Sequence, residues 1–396
     1  MLLGLPLLGV QMNGQALETY LEFPPLTHYV AHAGFSWPVF IALALGIAAV
    51  VAPFVLKVSG VRCQVSGVTG LWCFARHGRH SMNDALRAKK HEGVPTGTSS
   101  PPETRNLKPE TLNHPSSFLL HPFPLWGWLG VTTGLLAWVL AWTRFPWFAP
   151  LQPFTFSPLW FSYILVINAL TFRRTGRCMM LDRTGRFLLL FPLSAGFWWF
   201  FEYLNRFVQN WSYEGVGALT PGQYFLYATL PFATVLPAVL GTREFLRTFP
   251  RLTAGLDRFA PIRVRRPDRI AVAALALSAI GLAWIGVLPD YLFPLLWISP
   301  LVIILSLQTL AGRSTLLAPL RSGDWRDVCL LALSALICGF FWELWNYLSL
   351  AKWIYAVPFV NRFHVFEMPL LGYSGYLPFG LECGAIGSLI MKEKEA

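Results

Sequence analysis

The chain has 396 residues, of which 55% are hydrophobic and only 13% charged, with a mean hydropathy of +0.50. Soluble domains carry about 25% charged residues, so this composition excludes an ordinary soluble protein and places the chain in a membrane. A formal charge of +11, from 31 Lys and Arg against 20 Asp and Glu, points to cytoplasmic loops on an anionic leaflet before it points to nucleic acid.

In chain order, residues 1–56 read as an external N-terminal segment followed by a first transmembrane helix. Met1 to Ala16 lacks the basic n-region and the clear small-residue cleavage site of a signal peptide. Residues 57–123 read as a basic cytoplasmic loop, partly disordered, with Gly93 to Asn106 as a flexible linker. Cys63, Cys73, His77 and His80 lie in this loop, but their spacing matches no common zinc finger, and a solvated loop is the expectation. Cys178 also falls on the reducing side and Cys329, Cys338 and Cys383 lie in spans, so no disulfide framework is implied.

A membrane span needs about 17 to 25 apolar residues. Such runs lie at 35–56, 125–142, 156–172, 187–208 and 221–241, then at 270–287, 294–310, 328–348 and 365–391. The pattern predicts an all-α polytopic bundle of about nine transmembrane helices, because a spanning backbone must satisfy its hydrogen bonds internally. Alternate loops hold 27 of the 31 basic residues, leaving Arg144, Arg206, Lys352 and Arg362 on the other side. The N-terminus is therefore expected outside and the C-terminus in the cytoplasm. With no organelle-targeting signal, a bacterial inner (cytoplasmic) membrane is the simplest location.

Self-similarity then organises the spans. Ser157-Pro158-Leu159 recurs as Ser299-Pro300-Leu301, and Arg173 as Arg313. Phe200-x-Glu202-x-x-Asn205 recurs as Phe341-x-Glu343-x-x-Asn346, Trp211-x-Tyr213 as Trp353-x-Tyr355, and Leu236-Pro237 as Leu377-Pro378. The anchors keep one order at offsets of 140 to 142. They define repeat 1 over 124–269 and repeat 2 over 270–396, each with four spans. An even number of spans gives two parallel four-helix repeats, plus one N-terminal helix. Gly130 and Gly134 form a close-packing step in the second span. Pro231, Pro237, Pro369 and Pro378 are expected to kink or break the last span of each repeat, a pointer to a binding site.

Four carboxylates fall inside spans: Glu202, Glu343, Glu367 and Glu382. Acids at membrane depth face a bundle interior or a cavity and often mark function. Glu202 and Glu343 each have Asn three residues on, on the same helical face, roughly 20 to 25 Å from the inner end at 1.5 Å per residue. In an apolar pocket such an acid can keep its proton near neutrality and act as a proton donor or neutral hydrogen-bond donor. The catalytic candidates are thus Glu202, Glu343, Asn205 and Asn346. Ligand-binding candidates are Trp199, Tyr203, Trp211, Tyr213 and Glu367 with Trp342, Trp345, Trp353, Tyr355 and Glu382. An interfacial aromatic belt also explains crowded aromatics, but does not require a Glu and an Asn within it. His28 and His32 can meet His364 and Glu367 at the outer surface as metal ligands, ordinary interfacial histidines being the alternative; no metal is assigned. Asn168 and Gln308 read as interhelical glue.

The stretch from Phe341-Trp342-Glu343 through Lys352-Trp353-Ile354-Tyr355 to Phe366-Glu367-Met368-Pro369 and Leu377-Pro378-Phe379 resembles a pattern found in uncharacterised bacterial multi-pass membrane proteins. That resemblance covers chiefly repeat 2 and implies no known activity. A fainter likeness is to the integral-membrane lycopene cyclases, whose paired units are similar in carrying Trp-x-aromatic ahead of a Pro-containing span. Those enzymes have Pro-x-Glu-Glu, whereas here Pro378 is followed by Phe379, Gly380, Leu381 and Glu382, and Pro231 by no Glu.

Neither a P-loop, HExxH, GxGxxG nor an Asp-rich magnesium pair is present, which sets nucleotide and diphosphate chemistry aside. The leading expectation is a protein that binds or transforms an apolar ligand, an isoprenoid, quinone or lipid, in an intramembrane pocket lined by acids and aromatics. If it is an enzyme, Glu202 or Glu343 acts as general acid, oriented by Asn205 or Asn346. A proton- or ion-coupled transporter is the first alternative, and a non-catalytic membrane assembly subunit the second. The expected partners are the lipid bilayer and an apolar small molecule, with no nucleic acid. The sequence assigns neither a cofactor nor an oligomeric state.

Overall fold

The computed structural model describes residues 3–65, 71–75 and 121–391. It divides into two compact units, residues 59–119 and the remainder. The smaller unit contributes one antiparallel hairpin, β1 (Val61–Val65) with β2 (Leu71–Ala75), in which Cys63 stands opposite Cys73 in register. Both strands carry β-formers, Val61 and Val65 in one and Leu71, Trp72 and Phe74 in the other. His77, His80 and the linker at 93–106 lie outside the described residues.

The larger unit is helical. It begins with α1 (Gly4–Met12), α2 (Leu17–Leu21) and α3 (Trp37–Ser59), followed by α4 (Leu125–Trp142), α5 (Phe156–Thr175), α6 (Met179–Asp182) and α7 (Thr184–Val208). After strand β3 (Trp211–Glu214) come α8 (Pro221–Phe232), α9 (Val235–Arg247), α10 (Pro267–Trp284), α11 (Pro289–Leu292), α12 (Pro294–Leu310) and α13 (Arg326–Tyr347). Strands β4 (Lys352–Tyr355), β5 (His364–Val365) and β6 (Met368–Pro369) precede α14 (Tyr376–Met391). Six helical segments are long and apolar enough to cross a membrane, α8 and α9 together forming one of 27 residues. A seventh arises if α5 joins the 3-10 turn Pro146–Phe154, bent from it by 66°. Among the described residues this is an all-α bundle that fits a multi-pass membrane protein.

Helix covers the expected apolar runs except at the start of the last, although α12, at 17 residues, falls short of a candidate span. Residues 365–375, read as the start of that span, instead form β5, β6 and a 3-10 turn (Leu370–Gly375), and helix begins only at Tyr376. Pro369 removes a backbone donor and Phe366 takes a left-handed φ of 57°, so no helix can run through. The first half solves the same problem differently. Pro231 and Pro237 interrupt the ladder between α8 and α9, and Ser194 of α7 repairs it. Its Oγ donates to the Phe232 carbonyl at 2.6 Å and accepts from Leu236 N at 3.0 Å.

Packing follows one plan in both halves. Helix α4 lies on α5 as α10 lies on α12, and α9 contacts α5 and α7 as α14 contacts α12 and α13. Small residues set the closest approaches: a Cβ on Gly130 would stand 2.9 Å from Leu165 Cβ, and one on Gly134 3.1 Å from Ser162 Cβ, as the close-packing step predicts. Helix α1 packs on α10, and the extended stretch after α2 is strapped to the end of α7. There Gln209 Oε1 accepts from Tyr29 N and Val30 N, each at 2.9 Å, and Arg206 donates to the Tyr20 carbonyl at 3.0 Å. Helix α3, although 23 residues long, has no buried residue.

Candidate functional site

Both E-x-x-N motifs close the C-terminal end of a long helix, α7 or α13, and in both the chain then turns into a short strand. Asn205 and Asn346 act on that strand and not on the acid beside them. Asn346 Nδ2 donates to the Trp353 carbonyl at 2.7 Å while its Oδ1 accepts from Trp353 N at 2.9 Å. Asn205 holds Trp211 in the same way, at 2.8 and 3.4 Å. The expected role of orienting a general acid is thus replaced by a two-point clamp on the backbone, in which the side-chain amide does the work of a neighbouring strand.

The clamp explains the spacing of Trp-x-Tyr. Side chains two apart share a strand face, so fixing the Trp backbone delivers the following Tyr to the glutamate. Tyr213 OH donates to Glu202 Oε1 at 2.6 Å and Tyr355 OH to Glu343 Oε1 at 2.7 Å. Burial, followed by the neighbouring carboxylate, pushes both phenols well above the usual tyrosine range, so they remain donors. Replacing Asn346 by Leu removes both clamp bonds and is expected to cost about 2 kcal/mol. Thermal unfolding in detergent should place Asn346→Asp, which keeps the acceptor, between Leu and the native residue; an unchanged midpoint in both variants would show the clamp to be dispensable.

The acids differ in how they are satisfied. Glu202 Oε1 also accepts from the Trp198 and Trp211 indoles, each at 3.0 Å. Glu343 Oε1 takes a second phenol, Tyr376 at 2.7 Å, while the Trp353 indole donates to Tyr355 OH at 2.8 Å. Glu343 is fully buried and its Oε2 has no partner.

Strands β3 and β4 pair antiparallel across the end of the bundle. Ser212 faces Ile354, Trp211 faces Tyr355 and Tyr213 faces Trp353, so one Trp-x-Tyr runs against the other about a central pair. Beside this ribbon lies a cavity of about 350 Å³, reached by residues of α5, α7, α8, α12, α13 and α14 and by Leu43 and Ile47 of α3. It lies at the helix ends away from the Arg-rich connections at 173–186, 243–269 and 313–326.

Of the residues expected from sequence, Trp211, Tyr213, Trp342, Trp353 and Tyr355 line the cavity. Glu202 and Glu343 stand behind its wall, reached through the phenols and indoles. Trp199 turns away to bond Thr229 Oγ1 at 2.9 Å and stack on Phe225. Tyr203 donates to the Leu3 carbonyl, and Trp345 packs among Trp138 and Trp160. Glu367 forms an ion pair with Lys352 at 2.6 Å, and Glu382 is buried where α14 meets α12, accepting from Leu301 N at 3.3 Å. The histidines do not gather: His32 pairs with Asp290 at 2.8 Å and His364 lies 3.2 Å from Asn361, and among the described residues no three potential ligands come together. Asn168 donates to the Ile164 carbonyl of its own helix at 2.8 Å and accepts from Met180 N of α6 at 3.3 Å.

Sequence reasoning missed Trp198, Trp297, Tyr224 and Tyr376 as lining residues. For Trp198 a signal existed, since it precedes Glu202 by four residues and so shares its helical face. Trp297 and Tyr376 have no aromatic counterpart in the other half, where Thr155 and Val235 stand. No protein-family model, curated protein or solved structure matches this chain.

Proposed function

We propose that the chain is an inner-membrane protein that binds or transforms an apolar ligand, an isoprenoid, quinone or lipid, in the cavity beside the ribbon. In this reading it crosses the membrane nine times, with the N-terminus outside, as two parallel four-helix repeats and a leading helix. The duplicated packing plan and the symmetric strand register support the repeats, and the basic residues gathered in alternate loops support the orientation. The observation that carries the function is an aromatic cavity with two repeat-related glutamates behind its wall, both bonded by phenols that face that cavity. Pockets of this size and lining hold small apolar molecules, and phenol-linked carboxylates supply charge or a proton where a ligand's polar atom lies. The unpartnered Glu343 Oε2 favours a second reading, a proton-coupled transporter, since a lone buried carboxylate oxygen is a place for a proton.

Purification in mild detergent, an ultraviolet–visible spectrum and mass spectrometry of the solvent extract test the first reading. A polyene, quinone or lipid near one per chain is expected, and is expected to fall at least tenfold in a Glu202→Gln, Glu343→Gln double variant that remains folded. An extract matching bulk membrane lipid would overturn it, and proton flux in liposomes would then test the second.

A further inference from the structure

At the arginine-rich end of the bundle several basic side chains are spent within the protein. Arg243 and Arg247 share Asp327, Arg177 pairs with Asp182, Arg326 with Asp324, and Arg174 donates to Thr248 Oγ1. The unspent charge is densest at residues 258–269, which hold five arginines, Arg258, Arg263, Arg265, Arg266 and Arg269, against one acid, Asp268. All five side chains are exposed, and among the described residues none donates a hydrogen bond or forms an ion pair.

The backbone that carries them is pinned. Phe259 N donates to the Gly323 carbonyl at 2.9 Å, Ile262 N to the Leu320 carbonyl at 2.8 Å, and the Trp325 indole to the Ala260 carbonyl at 2.7 Å. Like charges are thus held near one another without a counter-charge, a repulsion that an anion relieves. The place says which anion. Helices α10 and α13, both long and apolar enough to cross a membrane, start at Pro267 and Arg326, and the Phe259 ring packs on Phe54 near the end of α3, a third such helix. The arm therefore runs where spans leave the bilayer. Ile262 and Val264 alternate with Arg263 and Arg265 and are 44% and 45% exposed, and apolar side chains among free cations suit the boundary between headgroups and acyl chains. A nucleic acid would call for open aromatic faces on which bases stack, whereas the one aromatic ring of the arm, Phe259, is turned onto Phe54 and Trp325.

We propose that residues 258–269 bind the headgroups of anionic phospholipids, the arginines donating to phosphate oxygens while Ile262 and Val264 enter the acyl boundary. Guanidinium groups match phosphate with paired N–H bonds, and a basic cluster of this size beside a span suffices for such binding. The site is separate from the aromatic cavity and does not depend on what that cavity holds.

The test uses the full chain in mild detergent and four probes: mixed micelles of phosphatidylglycerol, mixed micelles of phosphatidylcholine, inorganic phosphate and a single-stranded oligonucleotide. Phosphatidylglycerol is expected to raise the thermal midpoint by about 3 °C and to slow trypsin cleavage after Arg263 and Arg265 about tenfold. Phosphatidylcholine should do neither. In an Arg263→Gln, Arg265→Gln, Arg266→Gln variant the gain should fall below about 1 °C with the lipid-free midpoint kept, since these side chains bond nothing in the protein. The comparison of lipids in the native protein stands without the variant, so its misfolding does not remove the test. An equal gain from phosphatidylcholine, or a gain that survives the three substitutions, overturns the proposal. Equal protection by inorganic phosphate would make the ligand a free anion, and protection by the oligonucleotide alone a nucleic acid; either overturns the lipid assignment.

Discussion

Replacing Glu202 by leucine is expected to destabilise the protein by about 3 kcal/mol, because it strands three buried donors that each cost roughly 1 kcal/mol or more when unpaired. The donors are the Trp198 and Trp211 indoles and the Tyr213 phenol, all converging on Glu202 Oε1. Leucine fills similar space, so the loss is one of hydrogen bonding and not of packing. Glu202→Gln keeps an acceptor and should cost far less. The thermal midpoint in detergent should drop by roughly 10 °C for Glu202→Leu, and adding Tyr213→Phe should recover part of it by deleting one stranded donor. A Glu202→Leu midpoint within about 2 °C of the native value would mean that this cluster does not hold the fold.

A single methyl group added at Gly380 should be nearly as damaging. A Cβ there would stand 2.2 Å from the Leu331 carbonyl oxygen and 2.7 Å from its carbon. These are backbone atoms, which no rotamer change can move aside. Helices α13 and α14 must then separate, at a cost of about 1 to 3 kcal/mol, and the separation falls between Glu343 and Tyr376, which bond at 2.7 Å. Gly380→Ala should therefore lower both thermal stability and ligand retention. Gly196→Ala serves as the control, since nothing lies within 4 Å of its Cβ position. Equal behaviour of the two variants would contradict the tight α13–α14 contact.

The recurrence of E-x-x-N and W-x-Y was legible because it pairs unlike residues at fixed spacing, and the structure shows that spacing to be a clamp followed by a phenol bond. What the sequence hid was direction. Trp199 and Tyr203 neighbour Glu202 in the chain, but successive residues on a helix are turned by about 100°. They bond Thr229 and the Leu3 carbonyl, while Trp198, one turn back, reaches the acid. The 365–375 stretch misled for another reason. Its residues are apolar enough for a span, yet Pro369, Gly372 and Gly375 withhold regular helix, and apolarity alone does not report backbone shape.

The two-stranded ribbon also joins the surroundings of the two acids. Tyr213 and Tyr355 sit on opposite strands of four paired residues, each bonded to the glutamate of its own half. Four backbone pairs thus tie the strand that carries one phenol to the strand that carries the other. The ribbon works as a yoke across the two halves. A guest that lifts one strand is therefore expected to disturb the phenol bonds of both glutamates.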